Sequence, residues 1–225
     1  MEDLRWVAFH VRDFLQVNRS WMTWNLLLGI IPAVLSVGLF AQPRARTAGW
    51  WAGVVAFVLF LPNAPYVVTD LVHLGDDIDR APANSVVLVG VLPTYALFIG
   101  IGFLCYLLAL EMVLREVRRH RPTAPRWLVD LSVHALCAVG VILGRITRLN
   151  SWDTVANPRW TIQRTWSTLT WEGAPPAFLG IFLAIVITTF VVRALATRAW
   201  RLASLVVERA PVSGVRGPRA TTTPF

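Results

Sequence analysis

The sequence predicts an all-α polytopic transmembrane helical bundle of about five spans, and three observations carry that reading. Mean hydropathy is +0.57 with only 15% charged residues, where a soluble domain carries about 25%. Several apolar runs reach membrane length, since a hydrocarbon core of about 30 Å takes about 20 helical residues to cross. All eleven tryptophans fall at the ends of those runs or in the connections and tails, the placement expected of an aromatic belt.

Residues 1–20 are charged throughout and lack the apolar core of a cleavable signal. Leu4, Val7, Val11, Phe14 and Leu15 have the spacing of an amphipathic helix lying on the membrane surface. If this segment inserted instead, the span number would be six. The bundle proper is expected over 21–196. Its first span runs from Trp21 to Phe40, with Trp21 and Trp24 at its mouth. The turn Gln42 to Arg46 leads to a second segment that starts as a membrane helix at Trp50 and Trp51 and meets Pro62-Asn63-Ala64-Pro65 too early. From Trp50 to Leu61 is only about 18 Å of helix at about 1.5 Å per residue. Counting about 20 residues from Trp50 ends near Thr69 and Asp70, which places the break inside the membrane, past its middle. Irregular backbone at that depth survives only when buried in protein or lining a wet cavity.

An acidic loop, Gly75 to Asp79, follows, and its Asp76, Asp77 and Asp79 suit a solvated turn better than a calcium loop. The third span is Val86 to Leu110, kinked at Pro93 and running on to Arg119. Pro122 and Pro125 turn the chain into a fourth span, Trp127 to Thr147. A connection bearing Trp152, Trp160, Trp166 and Trp171 precedes the fifth span, Ala177 to Leu195. Residues 197–225 form a cytoplasmic tail, and its Pro/Gly/Thr-rich end from Pro211 to Phe225 is expected to be disordered.

All 21 basic residues are arginine, for a net charge of +8. Arginines beside membrane helices set topology and touch anionic headgroups, so the expected partners are the lipid bilayer and anionic lipid rather than nucleic acid. The connections after spans one, three and five hold twelve arginines and the opposite side seven. The positive-inside rule then puts the C-terminus in the cytoplasm of a multi-pass protein of the inner or plasma membrane. Cys105 and Cys137 sit inside apolar runs and read as buried thiols, not a disulfide framework.

Spans two and four run in the same direction, so their far ends share one side of the membrane, extracytoplasmic by the arginine count. One end brings Asn63, Tyr66, Thr69, Asp70 and His73; the other brings Arg145, Arg148, Asn150, Ser151, Trp152 and Asp153. On the fourth span Asp130, His134, Arg145 and Arg148 fall within a stripe about 60° wide at ~100° per residue. A charge facing lipid costs several kcal/mol, so this stripe should face protein or water. Asp130 and His134 are also i,i+4 neighbours able to pair.

Each feature has a plain reading beside the functional one. Pro62 and Pro65 either end a helix, with Asn63 satisfying freed backbone groups, or mark a working break. Asp70 and His73, three apart, either relay protons or ligate a metal, or form an interface pair. Arg145 and Arg148 either hold an anion or neutralise Asp70 and Asp153. Asn150 and Asp153 also suit a helix end followed by an N-cap. No nucleophile elbow, zinc-protease helix motif, phosphate loop or Cys/His metal array is present in the sequence, so the residues name neither a catalytic group nor a cofactor.

Three stretches together resemble a bacterial membrane family known as domain-of-unknown-function family 1361. They are Trp24-Asn25-Leu26-Leu27-Leu28-Gly29-Ile30-Ile31-Pro32, then Leu61 to Tyr66 with Thr69-Asp70 and His73-Leu74, then Gly144-Arg145 with Arg148-Leu149-Asn150-Ser151-Trp152-Asp153. The resemblance covers about residues 20 to 195, and Leu149 stands where the family pattern often has an aromatic. It implies a multi-span bacterial membrane protein and brings no activity with it. The function expected is a polar extracytoplasmic-side pocket for a small anionic ligand or lipid headgroup. An ion-coupled permease and a non-catalytic accessory subunit are the alternatives, and an enzymatic step is left open.

Overall fold

The computed structural model describes residues 3–146 and 156–209. Every element among them is helical, and five segments are long and apolar enough to cross a membrane: Leu4–Phe40, Ala48–Arg80, Asn84–His120, Arg126–Ile146 and Ala174–Arg201. The chain divides into two units at Val192 and Arg193. The first holds the core described below. The second, where described, is the C-terminal part of a helix that ends at Arg209. The disorder expected of Pro211 to Phe225 lies outside the described residues.

Helix α1 runs unbroken from Leu4 to Phe40. The segment 1–20, expected to be set apart from the first span, is therefore continuous with it. No Pro or Gly interrupts the chain before Gly29, and Asn18 ties the junction by donating to Phe14 O at 3.2 Å and accepting from Trp21 Nε1 at 2.8 Å. The expected apolar stripe exists, but part of it faces protein. Phe14 packs on the core, and Val11 lies where a Cβ on Gly90 would fall 2.7 Å from its Cγ2.

The second segment begins with α2 (Ala48–Phe60), capped by Thr47 Oγ1 accepting from Trp50 N at 3.2 Å. The helix is interrupted at Leu61 and Pro62 and resumes as α3 (Asn63–Tyr66), a 3-10 turn (Val67–Leu71) and α4 (Val72–Arg80). The interruption is a jog rather than an unwound stretch. Leu61 and Pro62 both keep right-handed helical dihedrals, at φ/ψ of −53/−41 and −61/−21. Pro62 and Pro65 lack N–H groups, so the regular ladder cannot run through them. Two side chains take up carbonyls around the gap: Asn63 Nδ2 donates to Phe60 O at 2.9 Å and Thr69 Oγ1 to Tyr66 O at 2.7 Å.

The jog is buried in protein on three sides. Ala64 and Val67 are fully buried. Gly29 of α1 lets Ala64 approach to 3.4 Å from where its Cβ would be. On the third segment, a Cβ at Gly102 would fall 2.6 Å from Val67 Cγ2, and on the fourth, a Cβ at Gly140 would fall 2.6 Å from Pro62 Cβ. Small residues that let backbones close up are the usual glue of membrane helices, where burial from water supplies no drive.

The acidic stretch Gly75 to Asp79 is helical, not a loop, because it completes α4. Arg80 pairs with Asp76 at 3.7 Å and Asp77 at 3.5 Å, and Asp77 is buried, accepting from Tyr95 OH at 2.8 Å. The third segment starts with α5 (Asn84–Val86) and a π turn (Val87–Val91) before α6 (Leu92–His120). The wider turn sits just before Pro93, where the missing N–H and the ring disturb the ladder. Helix α7 (Arg126–Ile146) matches the expected fourth span to within a residue at each end. The connection after it contains α8 (Pro158–Leu169), and α9 (Ala174–Arg209) supplies the fifth segment, with Ile185 fully buried against the core.

The jog's packing yields a direct test. Gly140→Ala should lower the melting temperature in detergent by the equivalent of about 1–3 kcal/mol, the usual cost of overpacking. Gly100→Ala, on α6 with nothing near its added methyl, should be neutral or slightly stabilising. Equal melting of the two variants would show that the jog is not held as described.

Candidate functional site

Two helical segments each bring one polar group to a buried carboxylate on a third. Asp70, in the 3-10 turn, is 2% exposed. Asn25 of α1 donates from Nδ2 to Asp70 Oδ2 at 2.8 Å, and Arg145 near the end of α7 donates from Nη1 to Asp70 Oδ1 at 3.4 Å. Arg145 also donates to Tyr66 OH at 3.3 Å and to Thr69 O at 3.2 Å, with its guanidinium 5.7 Å from the Tyr66 ring centre. The 3-10 turn gives Arg145 a backbone carbonyl to hold, and the pairing balances a carboxylate that would be costly to bury unpaired.

Of the residues expected at this end, the structure brings Tyr66, Thr69, Asp70 and Arg145 together. Asn63 sits one turn back, its amide engaged with Phe60 O. His73 is exposed, with its ring 5.2 Å from that of Trp21, and it acts on Asp70 through space, with no hydrogen bond or ion pair between the two. Arg148, Asn150 and Asp153 lie outside the described residues. Asp130 and His134 are both buried. They form a separate region of α7, away from Asp70. His134 Nδ1 is 2.7 Å from Tyr106 OH, and Arg126 pairs with Asp130 at 3.4 Å and also with Glu111. His134 is 11 residues from Arg145, about 16 Å along the helix.

Asn25 escaped the functional reading of the residues, which took spans two and four as the polar partners and left span one apolar. A lone amide inside the apolar run Trp24 to Ile31 was the available signal, because a buried amide in a membrane helix needs a partner. Tyr95 and Tyr106 escaped for the same reason. Each is buried with its hydroxyl bonded to a titratable side chain.

Beside the Asp70 cluster lies a cavity of about 610 Å³, within the usual range for small-molecule sites. Its walls are largely apolar, with Leu28, Val58, Leu136, Val139 and Leu143 among them, and Asn25, Asn63 and Tyr66 form a polar edge. Helix α8 contributes Thr161 and Thr165 together with Ile162, Trp166 and Leu169. Asn25 and Tyr66 connect cavity and ion pair: each lines the cavity and each bonds one member of the pair.

The model of a family described as "Protein of unknown function (DUF1361)" matches residues 24–191. The chain belongs to this family. The matched region starts one residue before Asn25 and takes in Asp70, Arg145 and every cavity-lining residue. No curated protein and no solved structure matches the chain. Family membership and the five apolar helices make this a membrane protein.

The ion pair can be probed by a double-mutant cycle. Arg145→Met leaves a buried carboxylate with Asn25 alone and should cost about 3 kcal/mol or more. Adding Asp70→Asn should recover a good part of that loss, read as melting temperature in detergent. Strictly additive losses would mean that the two side chains do not interact.

Proposed function

We propose that this chain is a multi-pass protein of the inner or plasma membrane that binds a lipid, with the headgroup at the Asn25, Tyr66 and Arg145 end and the chain along the cavity. One observation carries the reading: an apolar-walled cavity of about 610 Å³ meets an ion pair with a buried carboxylate through two hydrogen-bonding side chains. That combination suits an amphiphile. A fully polar solute would leave the walls unmatched, and a pure hydrocarbon would leave Asn25 and Tyr66 facing apolar surface. Asp70 already balances Arg145, so an anionic headgroup would approach the outer face of the guanidinium over Tyr66 while Asp70 keeps its bond to Asn25. The arginine distribution supports an extracytoplasmic position for this end and a cytoplasmic C-terminus.

The accessory-subunit reading draws on a different observation. Both oxygens of Asp70 are satisfied from two other segments, as expected where a polar cluster only locks helices together. A permease gate finds less support, since the jog at Pro62 stays helical and is packed against glycines, whereas broken transporter helices are unwound at the site.

The test is native mass spectrometry of the detergent-purified protein beside Val139→Trp, which fills the cavity wall, and Tyr66→Phe, which removes a polar edge group. Folded Val139→Trp should carry one bound lipid fewer than the wild type, and Tyr66→Phe should hold that lipid more weakly. Equal lipid retention by all three proteins at unchanged melting temperature would sink the lipid reading and leave the accessory role.

A further inference from the structure

At the opposite end of the bundle the structure places a second cleft, unrelated to the cavity beside Asp70. It lies between the α1–α2 connection and the end of α6, has a volume of about 300 Å³ and is lined by Arg46, Glu116, Val117, His120 and Arg121. Helix direction fixes its side: α7 starts here at Arg126 and reaches Arg145 nineteen residues later, about 28 Å along the helix, close to the thickness of a hydrocarbon core.

The cleft is built around one carboxylate that serves too many cations. Glu116 takes Arg119 at 2.8 Å and Arg46 at 3.4 Å. Arg46 also donates to His120 Nε2 at 2.9 Å, and His120 Nδ1 lies 3.1 Å from Glu116 O. Arg119 and Arg115 are further used in capping α1, donating to Ala41 O at 3.0 and 3.4 Å. Arg121 lines the cleft and is exposed, and its guanidinium has no hydrogen-bond or ion-pair partner among the described residues. The cleft therefore holds more guanidinium than carboxylate. Its membrane depth is marked by Trp50, over whose ring Arg46 stands at 5.3 Å, and by Trp51 packed against Trp50. Paired tryptophans sit at the headgroup level.

We propose that this cleft is a binding site for the phosphate of an anionic phospholipid, bridged by Arg46 and Arg121. Two forked guanidiniums suit a phosphate's several acceptor oxygens. A basic pocket between membrane helices at the headgroup level presents them to lipid without any need to leave the bilayer. A lipid is favoured over a free phosphate because the cleft's apolar neighbours, Val117 and the tryptophan pair, would contact the glycerol and upper chain. The site is independent of the cavity at the other end, and either can fail without the other.

The experiment measures retention of phosphatidylglycerol and phosphatidylcholine by the full chain in mixed micelles, using native mass spectrometry. The variants are Arg46→Ala, Arg121→Ala and the double, with Arg164→Ala on α8 as control. Arg121→Ala keeps the Arg46–Glu116 pair intact, so it reports on binding even if Arg46→Ala disturbs the fold. Phosphatidylglycerol should be retained over phosphatidylcholine and should weaken about fivefold for each arginine removed from the cleft, with Arg164→Ala unchanged. Loss of equal size in Arg164→Ala, or no loss in folded Arg121→Ala, would overturn the site. Displacement of the lipid by inorganic phosphate at comparable concentration would overturn its assignment to lipid.

Discussion

The structure depends on how two prolines are accommodated inside a membrane helix. Pro62 and Pro65 remove donors from the ladder of a segment apolar enough to cross a membrane. The chain responds with a jog, two side-chain bonds to carbonyls and close packing against Gly29, Gly102 and Gly140. These glycines do more than fill space. They draw α1, α6 and α7 against the same six residues, and that convergence brings Asn25 and Arg145 to the carboxylate of Asp70. Without the close approach, the three polar groups would sit at the same height but too far apart to bond.

The same jog explains why Asp70 can be buried. The 3-10 turn that follows it leaves the Thr69 carbonyl accessible to Arg145 at 3.2 Å, while the Thr69 hydroxyl folds back on Tyr66 O. Arg145 is thus held by a carboxylate, a phenol and a carbonyl. An ion pair with such a set of partners is a poor source of stability compared with an apolar core of the same shape. Its presence where a leucine would be cheaper asks for a reason other than stability, and the ligand proposed for the adjoining cavity is one.

Much of the helix layout could be read from hydropathy, because membrane spans announce themselves by length and composition. The fourth span, the interruption at Pro62 and the meeting of the second and fourth segments all follow from residue order and helix direction. The partners of single polar residues did not. Asn25, Tyr95 and Tyr106 each look like isolated exceptions in apolar runs, and only packing reveals that each completes a bond to Asp70, Asp77 or His134. The acidic stretch at Asp76 to Asp79 was misread as a loop because its charges suggested solvent. In place, Arg80 neutralises two of them within one helical turn, and Tyr95 holds Asp77 inward. Periodicity predicts an apolar stripe for the N-terminal residues, and such a stripe does not say whether its cover is lipid or protein. Here Val11 and Phe14 find protein.

The two ends of the bundle solve opposite electrostatic problems. Around Asp70 the ionic groups match one to one, and the polarity left over comes from an amide and a phenol. Around Glu116 the cations outnumber the carboxylate, and the excess stands at the level of the tryptophan pair. A neutral, hydrogen-bonding end recognises shape and polarity and can sit deep in the hydrocarbon. A surplus of guanidinium is tolerated only where headgroups or water can reach it. The two proposals follow this difference in charge balance: an amphiphile beside the matched pair at one end, a phosphate at the unmatched arginines of the other.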